Sequence, residues 1–194
     1  MNPLWIHVTE VTGVCTGSAP MAAGMGFVVE DGSLRVPGAH PICLFALQSL
    51  LPLLPAKERR IEEDPTEDWM WRVHAVQCPD PKGRVVWRID PCVPDHVPTA
   101  YRRLPEPCAG DLLIEVEEVR GKCTSGMHPG GRLLARGSSL YIPEPFCLYA
   151  LAAVLPLLPA VQRPLPEDDW LNRENRVICP DPAGNVVLGL HRVP

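Results

Sequence analysis

The apolar positions of this chain run through one order of patterns and then through it again. Leu4 to Val11 mixes apolar and polar residues in weak alternation and is rich in strand formers, so it predicts a half-buried strand. Phe27 to Val36 predicts a hairpin folded at Asp31-Gly32. From Pro41 the pattern becomes an apolar run through Cys43, Leu44, Ala46, Leu47, Leu50 and Leu51. It predicts a helix that opens at a proline, is ended or kinked by Pro52, and is buried on most sides. An acidic stretch from Glu62 to Asp68 precedes a predicted strand over Met70 to Gln77. The Pro79-Asp80-Pro81-Lys82-Gly83 turn then leads into a last strand, Val85 to Ile89.

Three blocks carry the repetition. VTEVTGVCT from Val8 is matched by VEEVRGKCT from Val116, and CPDPKGRVVW from Cys78 by CPDPAGNVVL from Cys179. CLFALQSLLPLLPA from Cys43 is matched by CLYALAAVLPLLPA from Cys147, with ten of fourteen positions identical. The blocks keep their order at offsets of 108, 104 and 101, a drift that short loop deletions explain. The expected organisation is a first repeat over residues 1–91, a proline-rich linker over 92–109 and a second repeat over 110–194. Each repeat reads as β-β-α-β-β, an α+β fold class. A unit this small cannot cover an all-apolar helix by itself. The two copies are therefore expected to pack face to face around the two helices as a pseudo-twofold dimer within one chain.

Composition adds little to this picture and excludes some classes. Hydrophobic residues make up 46% and charged residues 21% of the 194, ordinary for a globular protein. The net charge is −5 and no Lys/Arg-rich run occurs, so nucleic acid is not an expected partner. The longest apolar stretch, Leu148 to Leu158, is far short of a bilayer span, so no membrane partner is expected. The amino terminus lacks the basic and apolar regions of a secretory signal, and the expectation is a cytoplasmic protein with reduced thiols.

Six of the eight cysteines recur at matched places: Cys15, Cys43 and Cys78, then Cys123, Cys147 and Cys179. Three readings stay open for them. They are small buried hydrophobes, or three thiolates per copy for zinc or another thiophilic metal, or redox-active or nucleophilic thiols, with Cys43 and Cys147 in a first helical turn. The spacings are not the close pairs of a zinc finger. Asp80 and Asp181 follow two residues after a cysteine, either as turn formers or as acid, base or thiol partner. The copies also differ. Trp5, His7, Trp71, His74 and Trp87 face Leu113, Glu115, Asn172, Asn175 and Leu188, which concentrates aromatic rings and histidines in the first half. That set suggests a ligand pocket lined by Trp5, His7, Trp71 and Trp87. Drift in core packing explains it equally well. Cys92 and Cys108 fall in the linker and have no counterpart.

A G-x-C after a strand, a helix opening with Cys-Leu-x-Ala and running to L-L-P, and CPDP before the last strand together resemble the TIGR04076 family, whose members are single-copy proteins about one repeat long. The matching residues are Gly13, Cys15, Cys43, Ala46, Pro52, Cys78, Pro79 and Asp80, and again Gly121, Cys123, Cys147, Ala150, Pro156, Cys179, Pro180 and Asp181. The family's Gly-Asp pair before the second strand is replaced here by Gly24-Met25 and Gly130-Gly131. The resemblance implies a fold and a cysteine pattern and carries no activity with it. The leading expectation is a protein that binds a small molecule or a soft metal at the repeated cysteines. A second is a small cofactor-independent enzyme, an isomerase or cyclase, with Asp80, His74 or Cys43 as catalytic group. A third is an interaction module whose cysteines are only core.

Overall fold

The alternation at the start of the chain becomes a strand whose buried side chains, Leu4, Ile6 and Val8, all enter one core. This strand, β1 (Leu4–Val11), is followed by β2 (Gly26–Glu30), β3 (Ser33–Arg35), β4 (Ile42–Cys43), α1 (Leu44–Leu50) and α2 (Leu54–Glu58). A 3-10 turn at Trp69–Arg72 and strands β5 (Ala75–Gln77) and β6 (Val85–Asp90) complete the first half. The second half supplies β7 (Leu112–Val119), β8 (Arg132–Arg136), β9 (Ser139–Tyr141), β10 (Phe146–Cys147), α3 (Leu148–Val154), α4 (Leu158–Val161), α5 (Trp170–Arg173), β11 (Arg176–Ile178) and β12 (Val186–Arg192). These come from a computed structural model that describes residues 2–38, 40–59, 69–97 and 103–194. The acidic run at 62–68 lies outside them.

The fold is mixed α+β, with two six-stranded antiparallel sheets. Their orders are β10-β3-β2-β1-β6-β5 and β11-β12-β7-β8-β9-β4. Each sheet therefore ends in a two-residue strand lent by the other half. Ile42 and Cys43 lie opposite Leu140 and Ser139, while Phe146 and Cys147 lie opposite Leu34 and Ser33. The seam continues into the helices. Leu44 N–H donates to Ser138 O at 2.8 Å, and Leu148 N–H to Gly32 O at 2.9 Å.

This exchange changes where the helices begin. The sequence pattern predicts a helix from Pro41, but α1 starts at Leu44, and Cys43 precedes it in extended backbone (φ −67°, ψ 124°). Ile42 and Cys43 are claimed by the ladder to β9, so helix can begin only after it. Pro52 does end α1, and the chain re-enters helix at Leu54 with a proline in the first turn. The strand expected over Met70 to Gln77 is shorter too. Its first part is the 3-10 turn, and pairing with β6 covers only Ala75 to Gln77. The β-β-α-β-β outline thus misses β4 and α2 and their counterparts, and it counts the β2–β3 hairpin as one element. The Asp31-Gly32 hairpin is as expected, with both residues at positive φ (50° and 73°).

One continuous core draws on both halves. Leu44, Leu47, Leu50 and Leu54 of the first meet Leu148, Leu151, Val154 and Leu158 of the second within a single cluster of buried residues. A small second cluster, on the outer face of the first sheet, consists of Trp5, Val28 and Val97 with Val93 against them. No helix among the described residues is long and apolar enough to cross a membrane.

Candidate functional site

The two most distinctive motifs, G-x-C and CPDP, are halves of one structure. Gly13 N–H donates to Gly83 O at 3.1 Å and Val14 N–H to Lys82 O at 3.0 Å. In the second half, Gly121 N–H bonds Gly184 O at 3.1 Å and Lys122 N–H bonds Ala183 O at 2.9 Å. The backbones lie so close that a Cβ on Gly13 would collide with Lys82 O, and one on Gly121 with Ala183 O. A Cβ on Gly83 would stand 2.9 Å from Cys15 Cα. Glycine is required at these places because two turns are zipped together, each carrying a cysteine. Asp80 closes the junction. Its Oδ2 accepts from Thr16 N–H at 2.9 Å and Thr16 Oγ–H at 3.1 Å, and its Oδ1 accepts from Lys82 N–H at 3.0 Å. These donors, the Thr16 amide first, hold its carboxyl below the usual carboxylate range.

The zipped turns bring the recurrent cysteines together, three by three. Cys15, Cys43 and Cys78 line a cavity of about 360 Å³ with Thr16, Gly17, Phe45, Pro79, Asp80 and Pro81. Cys123, Cys147 and Cys179 line one of about 400 Å³ with Thr124, Ser125, Met127, Tyr149, Pro180 and Asp181. Both are of the size that takes small ligands. Each also has a wall from the opposite half. Ser138 closes the first pocket, and Asp31, Gly32 and Arg59 close the second. The strand exchange puts Ser138, Asp31 and Gly32 there, since it seats each hairpin turn at the mouth of the other half's helix. Ser18 and Ser138 fix the first junction: each one's backbone N–H donates to the other's Oγ, at 2.8 and 2.9 Å.

The thiols within a pocket are not alike. Burial pushes the Cys78 and Cys179 thiols up from their ordinary range. Cys147 accepts a hydrogen bond from Ser125 Oγ at 3.3 Å, while its own N–H points at Met127 Sδ, 3.4 Å away. A zinc or other thiophilic ion needs ligand atoms converging on one point. Among the described residues, no group of three or more His, Cys, Asp and Glu side chains is arranged to hold a metal ion.

Among the described residues, the aromatic set named from sequence is divided between the two faces of the first sheet. Trp5 and His7 stack at 5.6 Å on the outer face of the first sheet, and His7 Nε2 lies 2.8 Å from Asp90 Oδ2. Trp87 stands opposite Val8 in the ladder, faces the core, and meets Phe27 at 5.9 Å. Trp5 and Trp87 are thus separated by the thickness of the sheet, because the parity of their positions assigns them opposite faces. The Trp71 side chain lies outside the described residues. His74 is exposed and lines neither thiol pocket. Asp80 and Cys43 do share a pocket, but a carboxylate already accepting three hydrogen bonds, with its proton affinity lowered, is a weak base. Its work there is to hold Thr16. Cys92 and Cys108 are exposed.

Sequence reasoning missed Ser138, Asp31, Gly32 and Arg59. The first three sit in hairpin turns that read only as turn chemistry, and nothing local marks them as walls of a distant cavity. Compared with known proteins, the chain matches no family model, no curated protein and no solved structure.

Proposed function

We propose that this protein binds small molecules in two thiol-lined pockets, each completed by a turn from the opposite half of the chain. The observation that carries the reading is the convergence of each cysteine triplet, its CPDP turn and a ring at Phe45 or Tyr149 around one cavity. Cysteines retained only as small core residues would not need to share a cavity wall. The two pockets favour a compact, largely apolar ligand with a few polar atoms, since sulfur, proline and ring surfaces alternate with hydroxyls. The same arrangement supports reading the chain as a tandem duplication packed about a pseudo-twofold axis. The sheets have corresponding strand orders, and the lent strands are reciprocal. In this reading each pocket is an interface site, built as it would be in a homodimer of the single unit.

Ligand-observed NMR with a set of small apolar fragments tests the proposal. Thr124 is exposed and lines the second pocket. Fragments should bind the intact protein, and Thr124→Trp, which fills that pocket from its rim, should remove part of the binding. Fragment binding that is wholly insensitive to this substitution and to blocking of the pocket thiols would overturn it.

A further inference from the structure

The two pockets are built on one plan but differ at the position that, in the second, touches the thiol preceding the helix. In the matched segments Cys15-Thr16-Gly17 and Cys123-Thr124-Ser125, the third residue changes from glycine to serine. Ser125 Oγ–H donates to Cys147 Sγ at 3.3 Å, and Gly17 offers Cys43 no such donor. A hydroxyl aimed at sulfur stabilises negative charge there, which is what a nucleophilic thiol must carry. The next difference is Tyr149 in place of Phe45, which adds a phenol to the wall. In the first pocket the Thr16 hydroxyl is engaged by Asp80. The second pocket thus has Thr124, Ser125 and Tyr149 in its wall, and its Cys147 already accepts a hydrogen bond from Ser125. Cys147 and Cys179 are equally buried, so the Ser125 hydroxyl is what sets Cys147 apart.

We propose that the second pocket is a covalent thiol site, in which Cys147 adds to soft electrophiles of the α,β-unsaturated carbonyl class. The inference rests on the small-molecule reading and assigns a ligand chemistry to one of its two pockets. Soft sulfur prefers a soft carbon centre, and donors such as Tyr149 and Thr124 can meet the carbonyl oxygen as it gains charge. The step balances without any other reactant. A bond forms between Cys147 Sγ and the β-carbon, and the carbon–carbon π bond breaks. The electron pair moves onto the carbonyl oxygen as an enolate, and the thiol proton ends on the α-carbon. The first pocket, with Gly17 and Phe45, binds without reacting.

N-ethylmaleimide, itself a compound of this class, is the probe. The native protein, carrying Cys92→Ser and Cys108→Ser to silence the exposed linker thiols, is treated briefly, quenched and mapped by peptide mass spectrometry. Cys147 should be labelled about tenfold faster than Cys43, the rate effect of about 1.4 kcal/mol. Ser125→Gly should bring Cys147 down to the rate of Cys43. Gly17→Ser should raise Cys43 in turn. A Cβ at Gly17 would lie 3.4 Å from Ser138 Oγ and 3.6 Å from Cys15 Sγ, so the serine fits even if Ser125→Gly fails to fold. Equal rates at Cys43 and Cys147, or a lead of Cys147 that survives Ser125→Gly in a folded protein, would overturn the proposal. Fragments that still bind both pockets in that case would leave the binding reading standing. A Cys147 lead without any fragment binding would support the reactive thiol and remove the binding reading.

Discussion

Replacing Phe146 with alanine strikes the seam between the halves and separates two ways of reading the chain. Phe146 belongs to the second half by position, but it pairs with Leu34 of β3 at the edge of the first sheet and is fully buried in the shared core. Removing a buried phenylalanine costs about 3–5 kcal/mol through lost transfer energy and the cavity left behind. For a chain of this length each kcal/mol moves the melting temperature by about 2–4 °C, so the fall should be roughly 6–20 °C. If the halves share one core, the loss must be felt by the whole chain. Calorimetry should give a single transition, displaced downward. The fluorescence of the first-half tryptophans, among them buried Trp87, should change with it. Two separated transitions, with the first-half tryptophans melting at their original temperature, would refute the shared core and the exchanged strand together.

The isolated second half, residues 110–194, loses β4 from its sheet edge and leaves β10 without β3. Sedimentation should find it dimeric through mutual exchange of β10, and a folded monomer would contradict the topology. Glu58 is almost wholly buried, and its Oε1 accepts from Gly32 N–H at 3.1 Å while Oε2 has no hydrogen-bond partner among the described residues. Burial, opposed by the Gly32 amide and Arg59 and aided by Asp31, raises its proton affinity above the ordinary value of 4.5. A raised value means that its stabilising contribution is full below about pH 4.5 and is lost as pH climbs through the folded value. Glu58→Gln should therefore be more stable than the parent at pH 8 by about 1 kcal/mol, with the advantage gone at pH 4, as measured by denaturant unfolding. A gain that is the same at both pH values would count against this account. Gly13→Ala drives a methyl into Lys82 O and should cost about 1–3 kcal/mol, parting the first pair of zipped turns. Hydrogen exchange should then speed up at Val14 and Thr16 while the matching amides of the second half keep their protection. Unchanged exchange at Val14 would show that the turns are not held by this contact.

Much of the local structure was legible in the residues because local physics decides it. The alternation over Leu4–Val11, the left-handed pair Asp31-Gly32 and the proline that stops α1 each act through their own backbone. The motif glycines were visible as recurrent, but their reason was not. Gly13 is glycine because residues 82 and 83 lie against it, some seventy positions away. Trp5 and Trp87 misled for a related reason. Composition counts aromatic rings without saying which face of a sheet they occupy, and parity sends these two to opposite sides. His74 and Asp80 were attractive as acid and base by type alone, until hydrogen-bond geometry gave Asp80 to Thr16 and left His74 outside both cavities.

By itself, the sequence determined that three blocks recur in order, that six cysteines fall at matched places in them, and that strand patterns alternate with an apolar helical run. These follow from periodicity and from comparing the chain with itself. The tertiary structure alone decided that the three cysteines of a copy meet around one cavity, and that the opposite half closes it. It also decided that Ile42-Cys43 and Phe146-Cys147 leave their own halves to become the last strands of the other's sheet. Pairing across a hundred residues leaves no local signature. A two-residue strand and the first turn of an apolar helix look the same in sequence, and only a free edge on the other half selects between them.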